Sequence, residues 1–80
     1  MNTITLTLGE ILKLWRDRAG LTQQQLGEEL ELSRNTIKRY ESGGVPRWRD
    51  VEAWAEKCGQ PDAEPAREAW QLTERYPQAA

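Results

Sequence analysis

The sequence is expected to fold as an all-α domain of five short helices. Three observations lead there. Apolar residues recur at helical spacing in five separate segments. The first three segments each open on a threonine or serine suited to the N-cap. Glycine and proline punctuate the gaps, at Gly20, Gly43-Gly44, Pro46, Gly59, Pro61 and Pro65. No internal repeat or low-complexity tract interrupts this pattern. Residues 1–80 therefore read as a single compact domain, with an arm over 1–7, a helical core over 8–59 and a C-terminal helix and tail over 60–80.

Residues 1–7, MNTITLT, alternate Ile4 and Leu6 with polar threonines. That is a weak strand signal. With no strand partner elsewhere, the segment is either a frayed arm or a short strand that pairs with the same segment of a second subunit.

The first helix is expected to begin after Thr7. Thr7 and Glu10 have capping-box spacing, with Leu6 and Ile11 as a flanking staple. Leu8, Ile11, Leu12 and Trp15 share its inner face, and Gly20 supplies the left-handed residue that ends it. The second helix repeats this entry with Thr22 and Gln25, and with Leu21 and Leu26 as its staple. Leu26 and Leu30 face inward. Gly27 beside them lowers helix propensity by about 1 kcal/mol, tolerable where two helices approach closely.

Ser33 caps the third helix, which places Ile37 and Tyr40 on one side and Arg34, Asn35, Lys38 and Arg39 on the other. Ser42-Gly43-Gly44 ends it and Pro46 forbids continuation. The fourth helix spans about Arg47–Lys57 on an apolar stripe of Trp48, Val51, Trp54, Ala55 and Cys58, closed by Gly59. A last helix is expected from Pro65 to about Arg75, capped by Glu64 or Asp62, with Ala66, Ala69, Trp70 and Thr73 inward. The chain has no phenylalanine, so Trp15, Trp48, Trp54 and Trp70 must supply most of the core's bulk.

Composition narrows the function classes. Eighty residues with 38% hydrophobic and 30% charged content make one small soluble domain. No apolar run approaches the roughly 20 residues of a membrane span, and the N-terminus lacks the pattern of a signal peptide. A lone cysteine, Cys58, favours the reducing cytoplasm. Without histidine, a zinc site or a histidine-based triad is not expected, and no cofactor is implied. No nucleophile–base pair or phosphate-loop motif is present, so the chain is not expected to be an enzyme. Glu28, Glu29 and Glu31 are dense but belong to a solvated helix end.

The net charge of -2 argues against nucleic acid if taken as a whole. Its distribution argues the other way. Between residues 34 and 49 stand five cations, Arg34, Lys38, Arg39, Arg47 and Arg49, against one acid, Glu41; from Gln60 onward two cations face four acids. The positive field is local, and a phosphate backbone meets the local field first.

The pattern from Thr22 to Gly43, TQQQLGEELELSRNTIKRYESG, resembles the helix-turn-helix of the phage repressor and Cro family, the XRE-like domains. The resemblance covers about Ile11 to Cys58. It implies a lambda-repressor-like fold whose helix 33–42 enters the DNA major groove. Arg34 and Asn35 would be its leading base readers, by bidentate contacts to guanine and adenine, with Thr36, Lys38 and Arg39 beside them. Gln23 would bond a phosphate at the positive end of the second helix and brace the recognition helix. Ser33, Ser42, Gly43 and Arg47 complete the expected phosphate contacts. Arg16 and Glu41 match a structural ion pair between the first helix and the end of the third.

The chain departs from the family at Glu31, where glycine is usual, at Gly27, where alanine is commoner, and in its β-prone arm. A non-glycine residue in the left-handed region costs about 1–2 kcal/mol. Three functions are weighed. The first is a sequence-specific repressor of the Cro type, a homodimer on a double-stranded DNA operator, paired through Trp70, Tyr76 or the arm. The second is an antitoxin that also holds a protein partner through its C-terminal helix. The third is a protein-interaction module that does not bind DNA.

Overall fold

The computed structural model describes residues 6–75. The readings made for the arm ahead of Leu6 and for Tyr76 concern residues outside that range. Five α-helices follow one another: α1 Leu8–Arg18, α2 Gln23–Leu30, α3 Arg34–Glu41, α4 Trp48–Lys57 and α5 Arg67–Arg75. There is no strand among the described residues. None of these helices is long and apolar enough to cross a membrane.

The helices start where hydroxyl side chains satisfy their orphan N–H groups. Thr7 Oγ1 accepts from the Glu10 N–H at 3.2 Å, and Glu10 returns a carboxylate to the Thr7 N–H at 2.8 Å. That return bond holds the Glu10 carboxyl below its ordinary value. Thr22 and Gln25 repeat the box at 3.0 and 2.9 Å. Ser33 Oγ accepts from the Thr36 N–H at 3.1 Å. α4 is the exception: Arg47 stands at its N-cap and offers no side-chain bond.

Three helices end alike. The N–H groups of Gly20 and Leu21 donate back to Asp17 and Arg16, those of Glu31 and Leu32 to Glu28 and Gly27, and those of Gly59 and Gln60 to Glu56 and Ala55. This is the Schellman pattern, which requires one left-handed residue. Gly20 and Gly59 provide it at φ 72° and 79°, whereas the α2–α3 turn uses Glu31 at φ 57°. The turn thus keeps the usual geometry and accepts the strain.

The core is formed by Leu8, Leu12 and Trp15 of α1, Leu26 of α2, Ile37 of α3, and Val51, Trp54, Ala55 and Cys58, closed by Ala63 and Ala66. Trp54 is fully buried and donates its indole N–H to the Leu12 carbonyl at 3.0 Å, so its bulk enters the core with no unpaired donor. Of the four tryptophans expected to supply the core, Trp15 and Trp54 do so. Trp48 and Trp70 are half-buried and pack on each other with their rings tilted by 56° and their centres 5.3 Å apart.

The last helix differs from the reading made for it. Residues Glu64–Ala66 form a 3-10 turn and the α-helix starts at Arg67. Asp62 accepts from the Glu64 N–H at 2.8 Å, at the entry to the tighter turn and not at the start of α5, and Ala63 stands at the N-cap of that turn. Pro65 lies inside that turn, where its missing N–H does no harm.

Candidate nucleic-acid interface

α3 is held at one end by a buried ionic network. Arg16 grips Glu41 with two bonds, Nε to Oε2 at 2.6 Å and Nη2 to Oε1 at 3.1 Å. Its remaining Nη1 donates to the Leu21 carbonyl at 2.8 Å. Gln23 adds Nε2 to Glu41 Oε1 at 3.1 Å. One carboxylate therefore receives three donors and joins α1, the first residue of α2 and the last residue of α3. The side chains of Arg16 and Glu41 are 10% and 5% exposed. The Glu41 hydrogen bond holds the Arg16 guanidinium above its ordinary value, so its charge is permanent.

Backbone contact reinforces this end. A Cβ placed on Gly9 would lie 2.4 Å from the Glu41 carbonyl oxygen and 3.1 Å from that of Tyr40. Only glycine lets the first turn of α1 meet the C-terminus of α3 so closely. Gly27 does the same for the turn: a Cβ there would lie 2.5 Å from the Leu32 carbonyl oxygen. The sequence reading accounted for Gly27 as a close approach. Gly9 was missed, although a glycine amid good helix formers in a well-capped first turn is itself a signal of close packing.

The outer side of α3 is built differently. Arg34, Asn35, Lys38 and Arg39 are all exposed. None of the four side chains forms a hydrogen bond or ion pair among the described residues. Arg39 alone has a marked neighbour, its guanidinium lying 5.5 Å from the centre of the Tyr40 ring. Thr36 is half-buried, and its hydroxyl lies 2.9 Å from that of Ser33. Those two hydroxyls serve first to start the helix.

At the N-terminus of α2 an open hollow of about 450 Å³ is lined by Arg16, Thr22, Gln23, Gln24 and Arg34. Arg34 thus lines the same hollow as Gln23 and the first residues of α2. With Glu41 already bonded to Arg16, this hollow presents donors and a cation. The loop after α3 adds Gly43 at φ 114° and the exposed Arg47, and the first turn of α4 adds the exposed Arg49.

Ser42, one of the expected phosphate contacts, is exposed and bonded to its own helix. Its hydroxyl donates to the Lys38 carbonyl at 2.9 Å and its N–H to the Arg39 carbonyl at 3.1 Å. Both of its donors are therefore used to finish α3. Trp70 is engaged inside the domain, through its tilted contact with Trp48 and an indole bond to the Pro46 carbonyl at 2.8 Å, which leaves less of it for a subunit or partner interface. Cys58 is buried, and burial pushes its thiol up to about 11, so it is protonated and unreactive at neutral pH.

Two short capped helices joined by a tight turn, with a cationic second helix anchored on its inner side, define a helix-turn-helix DNA-binding domain. A family model described as the helix-turn-helix domain matches residues 7–68, and the chain belongs to that family. Neither the curated proteins nor the solved structures yield a match.

Proposed function

We propose that this chain is a sequence-specific transcriptional regulator of the phage Cro or repressor kind, acting as a homodimer on an operator with two-fold symmetry. The observation that carries the reading is the asymmetry of α3. Its inner side and C-terminal end are fixed by Ile37, Glu41 and the Gly9 contact. Its outer side carries Arg34, Asn35, Lys38 and Arg39, whose side chains form no hydrogen bond or ion pair among the described residues, Arg39 lying against the Tyr40 ring. A rigid helix with free, mostly cationic readers suits insertion in the major groove.

In this arrangement Arg34 and Asn35 lead the base contacts, with Thr36, Lys38 and Arg39 further along the groove. Gln23 has one amide N–H in use on Glu41 and a second left for phosphate. Gly43, Arg47 and the remaining capacity of Ser33 complete the backbone contacts, and Ser42 joins them only by turning its hydroxyl away from the Lys38 carbonyl. One domain of this size reads few base pairs, and two-fold pairing doubles them.

The test is binding to random-sequence duplex DNA, followed by fluorescence anisotropy as salt is raised. The expected outcome is micromolar or tighter binding at low salt that weakens steeply as salt increases. Absence of binding at low salt would point instead to a protein-interaction module built on the same scaffold.

A further inference from the structure

The C-terminal helix reaches the DNA-facing loop through one bond. Trp70 lies two residues beyond the matched family region, which ends at residue 68. Its Nε1 donates to the Pro46 carbonyl at 2.8 Å. Among the described residues this is the one hydrogen bond that joins α5 to anything beyond the 3-10 turn leading into it, to which Arg67 is bonded at Glu64. Pro46 is buried and has no N–H, so its carbonyl is its only backbone hydrogen-bonding group.

The loop is fixed on either side of that point by its own helices. The Gly44 N–H donates to the Arg39 carbonyl at 2.9 Å, and the Arg47 carbonyl accepts from Asp50 and Val51 at 2.9 and 3.2 Å. Between these ties, Val45 is 40% exposed and Pro46 is held by Trp70. The surrounding packing is broad but not directional. Trp48 offers its ring to Trp70 and to the Arg67 guanidinium, 4.3 Å from the ring centre, and its own indole N–H has no partner.

We propose that Trp70 is a positioning residue for DNA binding. Through the Pro46 carbonyl it sets the path of the Gly43–Arg47 loop, and hence where Arg47 and the uncapped start of α4 meet the DNA backbone. The inference rests on the DNA-binding reading above and adds to it that α5, beyond the matched region, tunes the phosphate contacts. A merely structural role would have Trp70 cover Trp48 and nothing more.

The test compares wild type, Trp70→Phe, Arg47→Ala and the double variant on random-sequence duplex, each well below its own melting temperature. Phenylalanine keeps an aromatic ring over Trp48 and removes the indole donor. Trp70→Phe is expected to weaken binding about threefold to tenfold and to lower the salt slope by about 1, the loss of one phosphate contact. In the Arg47→Ala background it should have much less effect, because both changes act on the same contact. Faster hydrogen exchange at Gly44, with α1 unchanged, would support the same account without DNA. A lower melting temperature with unaltered affinity per folded molecule and unaltered slope would overturn the inference, as would full additivity with Arg47→Ala. Those results leave the DNA-binding reading standing; wild-type protein that binds no duplex overturns both.

Discussion

The two sides of α3 differ in almost every physical respect, although one stretch of eight residues supplies both. Ile37 is fully buried on the inner side, and Glu41 at the end receives three donors. On the outer side Arg34, Asn35 and Lys38 touch solvent and hold no bond inside the domain among the described residues. Ordering a side chain costs conformational entropy, and polar groups left without partners inside the domain remain free to bond elsewhere. The contrast therefore separates residues that place the helix from residues proposed to read with it. It also makes the two sets distinguishable by experiment, since the first should act on stability and the second on binding.

The largest expected effect falls on the placing side. Arg16→Ala leaves the Glu41 carboxylate buried with only Gln23 for company, and should destabilise the domain by about 3–5 kcal/mol. Denaturant titration measures this directly. A change within error would show that the network is decoration and that the comparison is drawn in the wrong place. The reading side should answer in the opposite manner. Arg34→Ala should leave the melting temperature nearly unchanged and cost about 1–3 kcal/mol of affinity on the preferred duplex, with little loss on random DNA. Because Arg34 also lines the hollow at the start of α2, equal losses on both duplexes would reassign it to phosphate.

A smaller effect tests the turn between the two helices. Glu31→Gly keeps the left-handed geometry that Glu31 adopts at φ 57° and removes its steric cost. Stability should rise by about 1 kcal/mol, or about 4–8 °C in a domain of this size. A fall would mean that the Glu31 side chain contributes something its exposure does not reveal.

The smallest effect concerns pH. Burial raises the Cys58 thiol from 9.0 to about 11. The folded state thus favours the protonated form, so this contribution is fully present below pH 9 and is lost as pH rises toward 11. The melting temperature of the wild type should fall more steeply over that window than that of Cys58→Ala. Parallel profiles would remove the thiol from the account.

Much of the scaffold was legible because its signals are local. Thr7 with Glu10 and Thr22 with Gln25, each pair three residues apart, mark where their helices start, and both boxes form. The left-handed endings at Gly20 and Gly59 are equally local. The pairing of Arg16 with Glu41, 25 residues apart, was reached only through the family resemblance. What escaped depends on contacts that no local pattern carries. Gly9 is needed because α3 ends against it, and Trp70 is tied to Pro46 across 24 residues. The 3-10 turn before α5 was misread for a related reason: Pro65 is compatible with either helix type, and Asp62 bonds the Glu64 N–H, three residues ahead of the first residue of α5. For the site, the exposed face of α3 was readable as a face, whereas the occupation of both Ser42 donors was not.

The central claim is that the free side of α3 reads a base sequence and that two copies do so together. Selection of bound duplexes from a random library tests it most directly. The account predicts enrichment of an inverted repeat with half-site centres about one helical turn apart, roughly 10 base pairs, and loss of that enrichment when Arg34 and Asn35 are both replaced by alanine. Recovery of sequences with no common motif, at an affinity no better than random DNA, would contradict it.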